Sequence, residues 1–400
     1  MNTKRILFVD DEPMVLQGLQ RMLRQMRGEW DMVFATGGEA ALKLMAQAPF
    51  DVIVTDMRMP GMNGAELLQQ VMRLYPSTVR LVLSGHADRD LVAQCVGVAH
   101  QYISKPCEPE QLKTTIRSVC IPGGDQASEE IKRIAGSIIH LPSVPLLYSR
   151  LRRALEDENA TTQTLGDIIQ TDIGMTAKIL KLVNSAFFGL RRTIDTPHEA
   201  VAYLGVETVK TLVLANGIFC ESPALETKIF SLESLWHHSL KVANGARAIA
   251  MAEEADRHIQ EASFVGGILH DVGILLLAAN FPEAYDRVVE IVVQEHIPVP
   301  QAEERLFRIS HAEVGAYLLG LWGIPGPILD IVRKHHWPLP ALPKGFSPIL
   351  AVHTADALSG LKNQHPLFEG GELDEVALEN AGLKDRIAVW RTLLSNTTGA

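Results

Sequence analysis

The chain is expected to fold as an α/β domain built on a five-stranded parallel sheet, followed by an all-helical domain. Three observations predict this. Short apolar runs end in polar residues (RILFVDD, DVIVTDM, VRLVLSG and QYISKP); strand and helix patterns alternate regularly through residue 120; beyond residue 130 apolar residues recur at spacings of three and four with almost no β-branched alternation. A length of 400 residues exceeds what one core normally fills and agrees with more than one domain.

In order, the pattern predicts a strand over 5–10, a helix over 13–27, a strand over 31–35 and a helix over 38–47, continuing to a fifth helix in PEQLKTTIRSVC. Near-continuous apolar strands are those buried on both faces of a parallel sheet. The stretch IPGGDQASEE, residues 121–130, has the Pro/Gly/acidic composition of a hinge or linker. In the remainder, Pro142, Pro145, Pro197, Pro282, Pro298, Pro325 and Pro338 punctuate helices rather than interrupt them. GLKDRIAVWRTLL, near the end, is an amphipathic helix expected to cap the bundle, with dimer contacts as the alternative.

A net charge of −10 and a pI near 5.8 argue against a nucleic-acid footprint, which needs a basic face. The RLRR run at 150–153 is backed by Glu156, Asp157 and Glu158 and reads as a solvated helix face. Cys95, Cys107, Cys120 and Cys220 show no CxxC spacing and no secretory signal is evident, so reduced thiols in the cytoplasm are expected. Residues 262–281, ASFVGGILHDVGILLLAANF, are apolar enough to suggest a membrane span. His270 and Asp271 at the centre make a buried helix carrying a functional polar pair the better reading, and no membrane association is expected.

Five residues carry the chemistry of the first domain: Asp10, Asp11, Asp56, Ser84 and Lys105 all stand at or just past strand ends. They should converge on the carboxyl edge of the sheet, where open α/β folds place their sites. Crowded aspartates call for a hard cation, and Mg²⁺ is held by carboxylate and water oxygens. A carboxylate can also serve as a covalent nucleophile. Asp56 fits that role, because it ends a central strand and the turn MRMPGMNG leaves it open; Lys105 would neutralise phosphoryl oxygens and Ser84 would hydrogen-bond one.

FVDDE, VTDMRMPGMNGAELL, LSGHAD and YISKP, in that order and separation, make the first 120 residues resemble the flavodoxin-like receiver domain of two-component response regulators. The resemblance implies Asp56 as the phosphoacceptor and Mg²⁺ held by Asp11, Asp56 and the Arg58 carbonyl, with Asp10 acting through water. It further implies Ser84 and Tyr102 as a switch pair that alters the face around the fourth and fifth helices, Lys105 as phosphate clamp, and a sensor histidine kinase or phosphotransfer protein as donor. Cys107 stands where an aromatic is frequent.

In the helical part, His238, His270 with Asp271, His311, His335, His336 and Asp356 form a constellation suited to a divalent transition metal. Helical register puts His238 on the stripe Leu235, Val242, Ala246 and Ile249, and His237 with Lys241 and Asn244. His311 falls with Val314, Gly315 and Leu318, and Asp356 with Ile349 and Val352. Both His335 and His336 border one stripe, and register does not choose between them.

Segments such as IHLPSVPLL, NSAFFGL, FVGGILHDVGILLL and SHAEVGAYLLGLWGIP resemble the HDOD family, the HD-related output domains of bacterial signalling proteins. The resemblance implies a receiver over 1–120, a linker over 121–130, an HDOD domain over 131–335 and a helical extension of the HD-like bundle over 336–400. Kinship with HD phosphohydrolases, including cyclic-di-GMP phosphodiesterases, allows His238, His270, Asp271 and Asp356 as metal ligands. Two departures stand against it: Ile274 occupies the lysine place of HDxGK, and WPLP follows His335 and His336 in place of a GYP stretch. A site without a cationic phosphate partner holds a dianionic nucleotide poorly. The favoured expectation is a response regulator without DNA binding, acting through a protein partner; a phosphorylation-gated metal phosphohydrolase is the alternative.

Overall fold

The computed structural model describes residues 3–85, 98–120, 129–138, 141–157, 160–185, 190, 192–210, 213, 231–337, 345–359, 366–368 and 372–397. The chain forms two compact units. One comprises Met1–Ile139, Lys181–Thr193 and Tyr317–Gly323; the other comprises His140–Leu180, Ile194–Ala316 and Ile324–Ala400.

The first unit holds five parallel strands, β1 (Lys4–Val9), β2 (Trp30–Ala35), β3 (Val52–Asp56), β4 (Val79–Gly85) and β5 (Gln101–Lys105), in the order β2-β1-β3-β4-β5. The central strand β3 is buried along its whole length, which explains its uninterrupted apolar run. The helices are α1 (Pro13–Met22), α2 (Gly38–Met45), α3 (Gly64–Leu74), α4 (Pro109–Cys120) and α5 (Glu129–Ser137). The helix expected over 13–27 closes at Met22, where Leu23 leaves helical geometry and a 3₁₀ turn, Arg24–Gly28, follows. The segment between β4 and β5 expected to form a fourth βα helix, and residues 121–128 of the expected linker, lie outside the described residues.

Order β2-β1-β3-β4-β5 places a switch point between β1 and β3, and the crevice outside their carboxyl ends is where this architecture binds ligands. Beneath that edge, Arg80 and His100 are buried in the sheet. Arg80 donates from Nε to Val98 O at 2.7 Å and from a terminal nitrogen to Gly136 O of α5 at 3.0 Å, while its backbone N–H donates to His100 Nδ1 at 3.0 Å. Burial, and then the charges of Arg80 and Lys181, push the His100 imidazole well below its ordinary value, so it sits there neutral.

The second unit is helical throughout its described residues. It carries α6 (Pro145–Glu156), α7 (Thr162–Ile169), α8 (Ile173–Val183, its last turn in the first unit), α9 (Pro197–Leu204) and α10 (Val206–Lys210). Asp172 is buried and caps α8, accepting N–H groups from Met175 and Val144, each at 2.7 Å. Of NSAFFGL, residues 186–189 lie outside the described residues. The HD-like part follows as α11 (Leu232–Ala252), α12 (Arg257–Leu269), α13 (Val272–Asn280), α14 (Pro282–Glu295), α15 (Val299–Phe307), α16 (His311–Leu321), α17 (Gly326–Lys334), α18 (Pro348–Ser359), α19 (Glu375–Ala381) and α20 (Ile387–Thr397).

The apolar stretch expected as one helix is two, because the chain turns at His270 and Asp271: Asp271, at φ −98° and ψ 16°, is the N-cap of α13. Residues Arg257–Asn280 are long and apolar enough to cross a membrane, but their most apolar window is 94% buried in the protein. Arg150, Arg152 and Arg153 are exposed, as a solvated face requires. The terminal helix α20 packs within the chain through fully buried Trp390, whose indole N–H donates to Glu253 at 2.8 Å.

Candidate functional sites

At the sheet edge, Asp10 lies directly after β1 and is 2% exposed, and Asp56 closes β3 at 8%. Lys105, the last residue of β5, donates from Nζ to Asp10 Oδ2 at 2.9 Å and to Asp56 Oδ1. The Arg58 N–H donates to the other Asp56 oxygen at 2.9 Å and the Glu12 N–H to Asp10 at 2.9 Å. Burial opposes the Lys105 charge, but these two carboxylates outweigh it and raise the ammonium pKa. Asp11 is half-buried at the same edge. Ser84 and Tyr102 are both buried, on the neighbouring strands β4 and β5.

Local sequence shapes the mouth of this site. Asn63 and Glu66 form a capping box that starts α3. Gly64 packs so closely that a Cβ there would stand 2.2 Å from the Asp56 carbonyl oxygen, so only glycine lets α3 begin against the end of β3.

The second cluster gathers every residue that sequence reasoning placed in it. His238 on α11 lies 3.2 Å from Asp356 Oδ1 on α18 and 3.4 Å from Asp271 Oδ2. His270 Nε2 is 3.3 Å from Asp271 Oδ2 and 3.2 Å from His238 Nε2. On the other side of the same carboxylate, Asp271 Oδ1 is 3.3 Å from His311 Nε2 and 3.4 Å from His335 Nε2. His336, which register left level with His335, joins through its Nε2, 2.9 Å from that of His311. Asp271 is thus shared by two groups of candidate ligands, His238 with His270 and His311 with His335 and His336. His237, by contrast, is exposed on the opposite face of α11.

Burial alone would strip charge from this cluster, and the outcome depends on partners. Hydrogen bonds to Asp271 and Asp356 outweigh desolvation at His238 and hold its imidazolium up to about 9. At His311, Glu303 and Asp271 outweigh burial and raise it to about 10. Burial drives His335 down, and His336 well down with help from the neighbouring His335 and His311. Against burial, the surrounding histidines keep Asp271 and Asp356 below the usual carboxylate range.

Three members escaped sequence reasoning. Glu303 is fully buried, as is Tyr285, whose hydroxyl donates to it at 2.8 Å. Phe368 stacks on the His238 ring with centroids 4.9 Å apart. Glu303 had one signal, a carboxylate on the apolar stripe Val299, Glu303, Phe307 of α15; Tyr285 and Phe368 had none.

Comparison with known proteins agrees with both halves. The response regulator receiver domain model matches residues 6–117, and the HDOD domain model matches residues 141–338. The chain belongs to the two-component response regulators, a receiver domain followed by an HDOD domain. It is similar to an uncharacterized protein of Treponema pallidum (strain Nichols), 26% identical over 242 residues, covering 60% of this chain and 46% of that one. The response regulator UvrY of Escherichia coli (strain K12) is 32% identical over 115 residues, 28% of this chain and 53% of its own. The hydrogenase transcriptional regulatory protein HoxA of Cupriavidus necator is 36% identical over 114 residues, 28% of this chain and 23% of its own. The chain therefore spans about half or less of the length of these relatives. Among solved structures, the MmoQ response regulator from Methylococcus capsulatus str. Bath matches 63% of this chain and 97% of its own, with TM-score 0.49 and 23% identity. An HDOD domain protein from Geobacter sulfurreducens matches 67% and 92%, with TM-score 0.40 and 28% identity.

Proposed function

We propose that the protein is a phosphorelay response regulator in which Asp56 accepts a phosphoryl group from a histidine kinase or phosphotransfer protein, and the HDOD unit passes the signal on by protein interaction. The supporting observation is the grip of Lys105 on Asp10 and Asp56 at the sheet's switch point. In the transfer the phosphohistidine P–N bond breaks as an Asp56 carboxylate oxygen bonds phosphorus, and Lys105 neutralises the oxygens brought in. Asp10, Asp11 and Asp56 fit Mg²⁺, a hard cation that takes carboxylate oxygens and supplies charge neutralisation when bound. Ser84, buried at the end of β4, would hydrogen-bond a phosphoryl oxygen, and the bound group would shift an existing equilibrium by its differential affinity for the two states. Incubation with a small-molecule phosphodonor and Mg²⁺ should label the wild-type chain and not Asp56→Asn; undiminished labelling of the variant would refute the assignment.

A second reading concerns the HD-like cluster. Five imidazoles and two carboxylates suit a divalent transition metal, and the buried His335 Nε2 makes no hydrogen bond among the described residues. His238 with His270, and His311 with His335 and His336, would supply ligands on either side of Asp271, with Asp356 beside His238. The side chains of His238, His270, His311 and His335 are at most 2% exposed and those of Asp271 and Asp356 at most 8%, and Ile274 supplies no charge for a phosphate. Both facts favour a metal that organises the domain for partner binding over one that hydrolyses a nucleotide. Metal analysis of the purified protein, together with a cyclic-dinucleotide hydrolysis assay, separates the two: turnover would favour the phosphohydrolase.

A further inference from the structure

Glu303 sits behind the cluster, where three hydrogen bonds hold its carboxylate. One carboxylate oxygen, Oε2, accepts the His311 backbone N–H at 2.7 Å and the Nδ1–H of the same residue at 2.7 Å. The other oxygen accepts the Tyr285 hydroxyl at 2.8 Å. All three residues are at most 1% exposed. A ring whose Nδ1 proton is committed on one side can offer only Nε2 on the other. The His311 Nε2 is the atom that faces Asp271.

The same device recurs with backbone acceptors. His270 Nδ1 is 2.7 Å from Gly267 O and His335 Nδ1 is 2.8 Å from Val332 O, each carbonyl three residues back at the end of its own helix. Those two rings can use a carbonyl because they stand at helix C-termini, where carbonyls lack helical partners. His311 opens α16, where no such carbonyl exists, so a side chain from another helix must supply the acceptor.

We propose that Glu303, held by Tyr285, is the positioning residue that fixes His311 with Nε2 directed at Asp271 and at a divalent cation bound between them. The inference rests on the metal reading given above. Partners in this position typically change metal affinity by about 10- to 100-fold.

The test uses the full chain, stripped with chelator and titrated with Co²⁺, with visible absorption and chelator competition giving affinity. Wild type should bind; Glu303→Gln, which keeps an acceptor for Nδ1–H, should bind about 10-fold more weakly, and Glu303→Leu about 100-fold. Tyr285→Phe should lose less than Glu303→Gln. In the zinc-loaded wild type, long-range ¹⁵N spectra should show the His311 proton on Nδ1. If Glu303→Leu does not fold, as judged by circular dichroism, the Gln and Phe variants and the wild-type spectrum decide. A wild type that takes up no Co²⁺ overturns the metal reading and this assignment together. A wild type that binds, alongside Glu303→Gln binding equally well, overturns this assignment alone, as does a His311 ligated through Nδ1.

Discussion

Replacing Gly273 with alanine should damage the HD-like cluster without replacing any of its polar side chains. Gly273 is the second residue of α13, two positions after Asp271, and it rests on the first residue of α16. A Cβ built there would lie 2.0 Å from the His311 carbonyl oxygen and 2.6 Å from its carbon. Restoring even 3.0 Å requires the two backbones to part by about 1 Å, and backbone atoms cannot rotate aside as a side-chain tip can. The 3.3 Å contact between Asp271 and His311 spans the same gap and should lengthen. Overpacking of this kind costs about 1–3 kcal/mol, and a backbone collision belongs at the upper end. Alanine returns roughly 0.5–1 kcal/mol through its helix preference. The net loss is then about 2 kcal/mol, or a fall of about 4–8 °C in the unfolding of a unit of this size. Differential scanning calorimetry of the full chain would read it, with Gly326→Ala as control: a Cβ at Gly326 meets nothing within 4 Å. Equal unfolding temperatures for Gly273→Ala and wild type, with the Asp271–His311 distance unchanged in a crystal structure, would refute the reasoning.

Two further outcomes follow from other parts of the chain. His100 is held neutral, its pKa well below the ordinary 6.5. Below about pH 6.5 the unfolded chain gains a proton that the folded one refuses, so the first unit should lose stability as pH falls, and His100→Gln should flatten that slope in urea melts at pH 5 and pH 7; a slope unaltered by the substitution would count against it. Asp172→Ala removes the acceptor of two backbone N–H groups and should cost about 2 kcal/mol, with Asp172→Asn losing less; a thermal melt in which alanine and asparagine behave alike would speak against the cap.

Much of the receiver site was legible in the order of residues, because a polar residue at or just past the carboxyl end of a buried parallel strand emerges at that edge of the sheet. Asp10, Asp56, Ser84 and Lys105 were placed that way. In the helical unit, register separated His238 from His237 because adjacent helical residues point about 100° apart. Register states an angle around one helix axis and nothing about the distance to another. It therefore left His335 and His336 level, and only packing showed that both rings reach the cluster. The turn at His270 and Asp271 carried no proline to mark it. Glu303 and Tyr285 lie on helices whose approach to His311 is set by how α14, α15 and α16 stack. The chain order determined which side chains faced inward; the tertiary structure decided which of them meet, because hydrogen bonding and ligation act over about 3 Å and that distance is set by the packing of whole helices.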